Sequence, residues 1–385
     1  MDFSEPAEFS DIRDGVRQLC ADFDGSYWRD LEPDRYPEAF VRALTSSGWL
    51  SVLIPEQFGG GGLGVAAASV ILEEIAAAGG SPAACHAQMY VMGTLLRHGS
   101  PEQKARWLPE IAAGKLRLQA FAVTEPEAGS DTTAIQTRAE KTATGYRVNG
   151  HKIWTSRALH SDLMLLLART TPADRVSSKT DGLSVFLIDL RNARPAVTIT
   201  PIRTMMNHGT TEVFIDGLEL PDDALIGQAG AGFRYILDGM NAERILIAAE
   251  CVGDGRWFVA RASQYAAERR VFGRPIGANQ GVQFPIARAY ASIQAASLMR
   301  HKAAWLFDAS QPCAAEANMA KLLASEASWA AANSCLDAFG GLGFATEMGV
   351  ERKFRETRLY QTAPVSNNLV LAFLGQRVLG MPRSY

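Results

Sequence analysis

The chain has 385 residues, 38 basic and 41 acidic side chains, and a formal net charge of −3. That length allows about two or three domains with a large buried core, and the near-balanced charge offers no basic face to nucleic acid. Its apolar runs, such as residues 163–168, fall far short of the ~20 residues a membrane helix needs.

The acidic start MDFSEPAEFSDIRD has no hydrophobic signal core, so a cytoplasmic location is expected. Residues 1–117 are patterned mostly as helix. Residues 45–54 read as helical up to Pro55, and the glycine run 59–62 then breaks the chain. Residues 65–78 predict a helix with Val70, Ile71 and Ile75 turned inward and Glu73 and Glu74 on the wet side. Ser100-Pro101-Glu102 predicts a capped helix start, and that helix should end near Gly114.

Between 118 and 227 the pattern changes to short β-rich runs, at 119–123, 145–148, 163–168, 183–188 and 211–215. Such spacing predicts a small sandwich or barrel, with the polar stretch 170–182 as an exposed loop. From 228 to 385 the pattern is helical again, at 233–269, 280–309, 314–336 and 367–379. No proline interrupts 233–271, so the first of these should be one very long helix. The expected fold class is α+β: an N-terminal helical domain (1–117), a middle β-sandwich or barrel (118–227) and a C-terminal helical bundle (228–385).

Five segments carry possible chemistry. FAVTEPEAGSD, 121–131, leaves a strand and turns; its small and hydroxyl residues let backbone approach a planar or phosphorylated ligand, or simply end the strand. In NGHKIWTS, 149–156, Asn149-Gly150 marks a hairpin turn before the next strand. Trp154, followed by two hydroxyls, can stack on a ring and bond its edge, or serve as a core tryptophan. On the long helix, Phe233, Ile236, Met240, Ile247 and Cys251 form one apolar stripe, and Glu243 lies inside it. A carboxylate there is partly desolvated, which raises its pKa and suits it to accept a proton near neutral pH; pairing with an arginine is the competing reading. Glu250, two turns on, is the other candidate. ERRVFGRPIGANQ, 268–280, puts arginines where they offset a helix dipole or bind a pyrophosphate. FGGLGF, 339–344, is a glycine cluster without the preceding strand of a dinucleotide fingerprint. The five cysteines lack CxxC spacing, which argues against a disulfide framework or a structural zinc site.

In this order and spacing, VTEPEAGSD, NGHKIWTS, NHGTTEVFIDGLELPDDALIG, ERRVFGRPIGANQ and FGGLGF resemble the acyl-CoA dehydrogenase family across essentially the whole chain. The resemblance implies N-terminal helices, a middle β-domain and a C-terminal four-helix bundle, assembled as a homotetramer or homodimer. It implies FAD as cofactor, lined by Phe121, Val123, Thr124, Ser130, Trp154, Thr155 and Ser156, with Thr124 and Ser156 on the isoalloxazine edge and Trp154 over a ring face. Arg269, Phe272, Gln280, Asp337, Gly340 and Gly341 resemble the parts that hold the pyrophosphate and adenosine across a subunit interface, and Ser366 and Asn367 fall near the cofactor. Ser130, Asn241 and Arg244 resemble acyl-CoA contacts. The implied reaction is α,β-dehydrogenation of an acyl-CoA thioester, with an electron-transfer flavoprotein as acceptor.

The resemblance has two departures. Most members carry the base in a segment resembling Tyr-Glu-Gly-Thr, and here that glutamate position falls on Pro364. A minority branch, which includes isovaleryl- and long-chain acyl-CoA dehydrogenases, places the base on the long helix, at the position of Glu243. A base on that wall leaves different room for the acyl chain and points to a branched or bulky group. Val365-Ser366-Asn367 replaces the usual Gly-Thr-Ser. Loss of the usual glutamate also keeps open an altered chemistry: desulfinase, oxidase or monooxygenase.

Overall fold

The computed structural model describes residues 7–383. Helices α1 (Ala7–Ala21), α2 (Gly25–Asp30), α3 (Glu38–Ser46), α4 (Val65–Ala77), α5 (Ala83–His98) and α6 (Pro101–Ala112) come first. Strands β1 (Leu118–Ala122), β2 (Arg138–Lys141), β3 (Gly145–Ser156), β4 (Leu163–Arg169), β5 (Leu183–Asp189), β6 (Val197–Pro201), β7 (Thr210–Pro221) and β8 (Leu225–Ile226) follow. Then come α7 (Gly232–Glu268), a short hairpin of β9 (Arg270–Val271) and β10 (Arg274–Pro275), α8 (Gln280–Asp308), α9 (Ala314–Phe339), α10 (Val350–Arg358) and α11 (Asn367–Phe373). Among the described residues no helix is long and apolar enough to cross a membrane.

Backbone contacts group the chain into two compact units, one of Pro33–Leu63 with Ala83–Met240, the other of the N-terminal part to Glu32, Gly64–Pro82 and Asn241 onward. The first holds a mixed sheet in the order β6-β7-β3-β2-β4-β5-β8, with β1 running parallel beside β4. Leu163, Leu165 and Leu167 of β4 face a cluster with Val91, Met92 and Leu95 of α5 and Leu108 and Ile111 of α6. Met164, Leu166 and Ala168 face the opposite cluster, with Phe186, Val148 and Val213. Burial on both faces is why this strand reads as an unbroken apolar run rather than an alternating one.

Two local expectations fail here. Asn149-Gly150 is not a turn, because β3 runs straight through it with a register shift between Val148 and Gly150. Gly150 is required for close approach: a Cβ there would lie 2.2 Å from Thr137 Oγ1. The turn sits earlier, where the Thr142 amide donates to the Gly145 carbonyl at 2.9 Å and joins β2 to β3. Residues 45–54 are not one helix either. The helix α3 ends at Ser46, Gly48 takes a φ of 79°, and only a single tight turn, Trp49–Ser51, follows.

The second unit is helical. The helix α4 is buried on every side, and the expectation of a wet face at Glu73 and Glu74 is wrong. Glu73 is 0% exposed, because Arg13 of α1, Arg256 of α7 and Arg300 of α8 converge on its carboxylate. Arg13 and Arg17 take Glu74, at 2.6 and 3.2 Å. Burial pushes the Glu73 carboxyl up, but the three guanidinium groups outweigh it and hold it below the usual range. The sequence pattern missed this because charges that pair in the interior look the same, in one dimension, as charges facing water. The helix α7 is unbroken over 37 residues, as the absence of proline predicts. The C-terminal helix is shorter than expected: α11 stops at Phe373 and a π-helical turn, Leu374–Val378, completes it.

Candidate active site

The sheet-bearing unit presents the segment that leaves β1 beside the end of β3. The Ile153 amide donates to the Thr124 carbonyl at 2.9 Å, and Lys152 Nζ donates to the Val123 carbonyl at 2.8 Å. Lys152 also donates to Glu125 Oε1 at 2.8 Å, and the Glu125 carboxylate accepts from the amides of Gln136 and Thr137 at 2.6 and 2.9 Å. Lys152 is 0% exposed, and burial pulls its ammonium down to about 8 while Glu125 opposes the shift. Burial pushes Glu125 up, but Lys152 and the amides outweigh it and hold it low. A buried ion pair therefore pins Val123-Thr124-Glu125 onto β3.

Directly after Lys152 the β3–β7 ladder shifts register, and Trp154 takes a φ of 61°. That left-handed backbone turns the indole out of the strand alternation and leaves it 56% exposed. Phe121, Val123, Thr124 and Ser156 are half-buried nearby in sequence and ladder, while Ser130 is exposed after Gly129. Thr155 differs from its neighbours, being fully buried with its carbonyl accepting from Thr211 Oγ1 at 2.6 Å. An exposed indole held by strained backbone, beside half-buried hydroxyls on a pinned loop, fits a planar ring with polar edges.

On α7, Ile236, Ile247 and Cys251 of the stripe are buried, and Phe233, Met240 and Glu243 are half-buried. Arg244 Nη1 donates to Asn241 Oδ1 at 3.2 Å, which brings those two together. Burial pulls the Arg244 guanidinium down, and Glu243 opposes it. Glu250 is only 2% exposed and accepts from the Tyr360 hydroxyl at 3.0 Å. Burial, with Glu250 and Asp254 nearby, pushes that phenol well above its usual range. Glu250 is thus committed to the interior, whereas Glu243 keeps partial access to solvent.

The remaining expected positions lie on the surface of the helical unit. Phe272 and Gly273, at φ of 50° and 81°, form the tip of the β9–β10 hairpin, and Phe272 is 101% exposed. Arg269, Gln280, Asp337, Gly340 and Gly341 are also exposed, and a Cβ at either glycine would meet nothing within 4 Å. Tyr265 stacks on Phe339 with ring centroids 4.2 Å apart, which brings the end of α7 beside the Gly340 turn. Ser366 Oγ accepts from the Leu369 amide at 3.3 Å as the cap of α11, and Asn367 bonds inward to Lys321, Ser325 and Gln361.

Three residues that sequence reasoning did not single out brace segments that it did: Glu125 and Lys152 within the sheet-bearing unit, and Lys321, bonded to Asn367, within the helical unit. The first two stood inside the quoted segments, but only the adjacency of β1 and β3 reveals that they pair.

The sequence matches three family models: "Acyl-CoA dehydrogenase, N-terminal domain" over residues 6–115, "middle domain" over 120–218 and "C-terminal domain" over 230–379. The chain belongs to the acyl-CoA dehydrogenase family. It is 36% identical to the acyl-CoA dehydrogenase FadE12 of Mycobacterium tuberculosis (strain ATCC 25618 / H37Rv) over 390 residues, 100% of this chain and 99% of that protein. It is 32% identical to the glutaryl-CoA dehydrogenase of Desulfococcus multivorans over 396 residues, the whole of both. Among solved structures, the glutaryl-coenzyme A dehydrogenase–glutaryl-CoA complex superposes with a TM-score of 0.92 at 30% identity, covering 100% of this chain and 98% of that one. PigA with FAD and proline superposes with a TM-score of 0.91 at 26% identity, over 99% and 100%. This acyl-CoA dehydrogenase therefore has the three-part family fold of N-terminal helices, middle sheet and C-terminal helices, and it is an oxidoreductase that uses FAD.

Proposed function

We propose that this enzyme oxidises an acyl-CoA thioester to the trans-2-enoyl-CoA, with Glu243 as the base that takes the α-proton. The observation that carries this reading is the contrast between two carboxylates on α7: Glu243 is half-buried and next to Arg244, while Glu250 is buried and engaged by Tyr360. Pro364, at the position of the usual family glutamate, has no group that accepts a proton. A carboxylate held partly out of water is a stronger base than one in water. Thr124 and Ser156 hold the polar edge of the isoalloxazine, Trp154 covers one face, and Phe121, Val123, Ser130 and Thr155 complete that wall. Arg269, Phe272, Gln280, Asp337, Gly340 and Gly341 hold the pyrophosphate and adenosine, with Ser366 and Asn367 beside the cofactor. Bound FAD supplies the acceptor for the β-hydrogen. Ser130, Asn241 and Arg244 orient the acyl-CoA, and an electron-transfer flavoprotein takes the electrons onward.

The protein works as a homotetramer or homodimer in this reading. The helix α8 exposes Phe284, Leu298 and Trp305 at multiples of seven residues, one stripe that a second copy would cover.

The test is an anaerobic titration of the FAD-loaded protein with straight, branched and dicarboxylic acyl-CoAs, following flavin absorbance. One class should bleach the flavin, and Glu243→Gln should bind the same acyl-CoA yet reduce the flavin at least about a thousandfold more slowly. Unchanged reduction in that variant would remove Glu243 from the reaction. Pro364 favours a second reading, altered chemistry as a desulfinase, oxidase or monooxygenase, and no bleaching by any acyl-CoA would select it.

A further inference from the structure

Lys321 lies on α9 with 0% of its surface exposed. Its ammonium donates to the Val365 carbonyl at 2.8 Å and to Asn367 Oδ1 at 2.6 Å. Both acceptors are neutral. The amide of Asn367 then faces the other way, donating to Ser325 Oγ at 3.1 Å and to Gln361 Oε1 at 3.0 Å. Gln361 Nε2 closes the ring by donating to the Ser325 carbonyl at 2.7 Å. Every polar group in the set is oriented by another, and the set spans both ends of the turn that carries Pro364.

A lysine buried against neutral acceptors loses hydration without recovering it through an ion pair. Burial is the main cause that pulls this ammonium down to about 8; Arg244 adds to it, while Cys251 and Glu326 oppose. The charge is therefore in place at a cost to stability, and what it accomplishes is geometric. It fixes the turn at the family's usual base position and sits within electrostatic reach of Arg244, the neighbour of Glu243.

We propose that Lys321 is a positioning residue for the reaction: through the Val365 carbonyl and the Asn367 side chain it locks the turn from Gln361 to Asn367 beneath the acyl group. Its role in the reaction rests on the reading of Glu243 as base, whereas its hold on the turn does not.

The experiment compares Lys321→Met, Lys321→Arg and Gln361→Ala as FAD-loaded proteins. Hydrogen exchange of the peptide spanning 361–367 is measured first, followed by acyl-CoA affinity and the rate of flavin reduction. In Lys321→Met the turn amides should exchange at least about tenfold faster, the fold-change that loss of one charge-assisted hydrogen bond carries. Flavin reduction should slow by about tenfold while acyl-CoA affinity stays within about threefold, and Lys321→Arg should restore most of both. Gln361→Ala keeps the buried charge and should loosen the same amides by about threefold, which tests the ring of bonds even if Lys321→Met does not fold. Unchanged exchange in the turn would overturn the proposal. So would a rate loss that follows FAD content or global unfolding and is not rescued by arginine. If no acyl-CoA reduces the wild-type flavin, the reading of the reaction fails, and the exchange data still decide whether Lys321 holds the turn.

Discussion

Replacing Lys152 by methionine removes a buried ammonium and keeps most of the side-chain volume. Two things are left behind: the Val123 carbonyl loses a donor at 2.8 Å, and the buried Glu125 carboxylate keeps only the amides of Gln136 and Thr137. Removing one partner of a buried pair costs about 3–5 kcal/mol. The two amides that stay with Glu125 place this case at the low end, about 3 kcal/mol. Glu125→Gln should cost about as much, because it leaves the ammonium with a carbonyl and an amide. The double variant removes both charges and should cost less than the sum of the singles by about 2 kcal/mol. The assay is urea unfolding followed by tryptophan fluorescence and far-UV circular dichroism, with coincident curves required before a free energy is taken. FAD affinity, measured in parallel, should weaken by at least about tenfold in each single variant, since the pair fixes the loop that carries Thr124. Single costs below about 1 kcal/mol, or costs that simply add in the double variant, would refute the claim that the pair pins the loop.

Glu73→Gln should destabilise by about 3–5 kcal/mol, because it places a neutral amide among three guanidinium groups; a melting temperature within a degree of wild type would contradict this. His208 is held well below its ordinary value of 6.5 by burial and by Arg157 and His86. Its folded pKa is depressed, so below pH 6.5 the unfolded chain takes up a proton that the folded chain refuses. Stability should be full above that pH and fall by up to about 1.4 kcal/mol per unit below it. His208→Gln should flatten the melting temperature between pH 6.5 and 5.5, and an unaltered slope would exclude the histidine as its source. Arg269→Ala removes a guanidinium suited to a bidentate phosphate contact. It should lower the FAD retained after dialysis, and unchanged retention would count against that role.

Much of the architecture was legible because it is written in local patterns. The proline-free stretch gave the long α7, and Ser100 with Gln103 forms the capping box that starts α6. What escaped depends on residues distant in sequence. The Asn149-Gly150 dipeptide has the composition of a turn, but Thr137 packs where a Cβ would be, and only the paired β2 reveals it. Strands β2 and β6 were missed for a related reason: RAEK and VTITP carry polar residues, and Val197 and Ile199 pack on the sheet only through β7. The ordered motifs identified the family, and the stripe on α7 is what proposes Glu243 as the base. The lysines that brace those segments were invisible, since a buried lysine and a surface one are the same letter.

The helical unit is assembled from three stretches of chain separated by the whole of the sheet-bearing unit. The helix α4 emerges from the ribosome early, yet two of the arginines that neutralise Glu73 lie 183 and 227 residues further on. At ~5–20 residues per second, that helix waits roughly 10 to 45 s for its partners. During that interval the segments up to Met240 are all available to fold, while α4 has α1 and Arg13 to pair with but lacks the arginines of α7 and α8. Nascent chains stalled before Arg300 are therefore the species that a chaperone or protease would meet, and release of α8 from the ribosome is the event that ends their exposure.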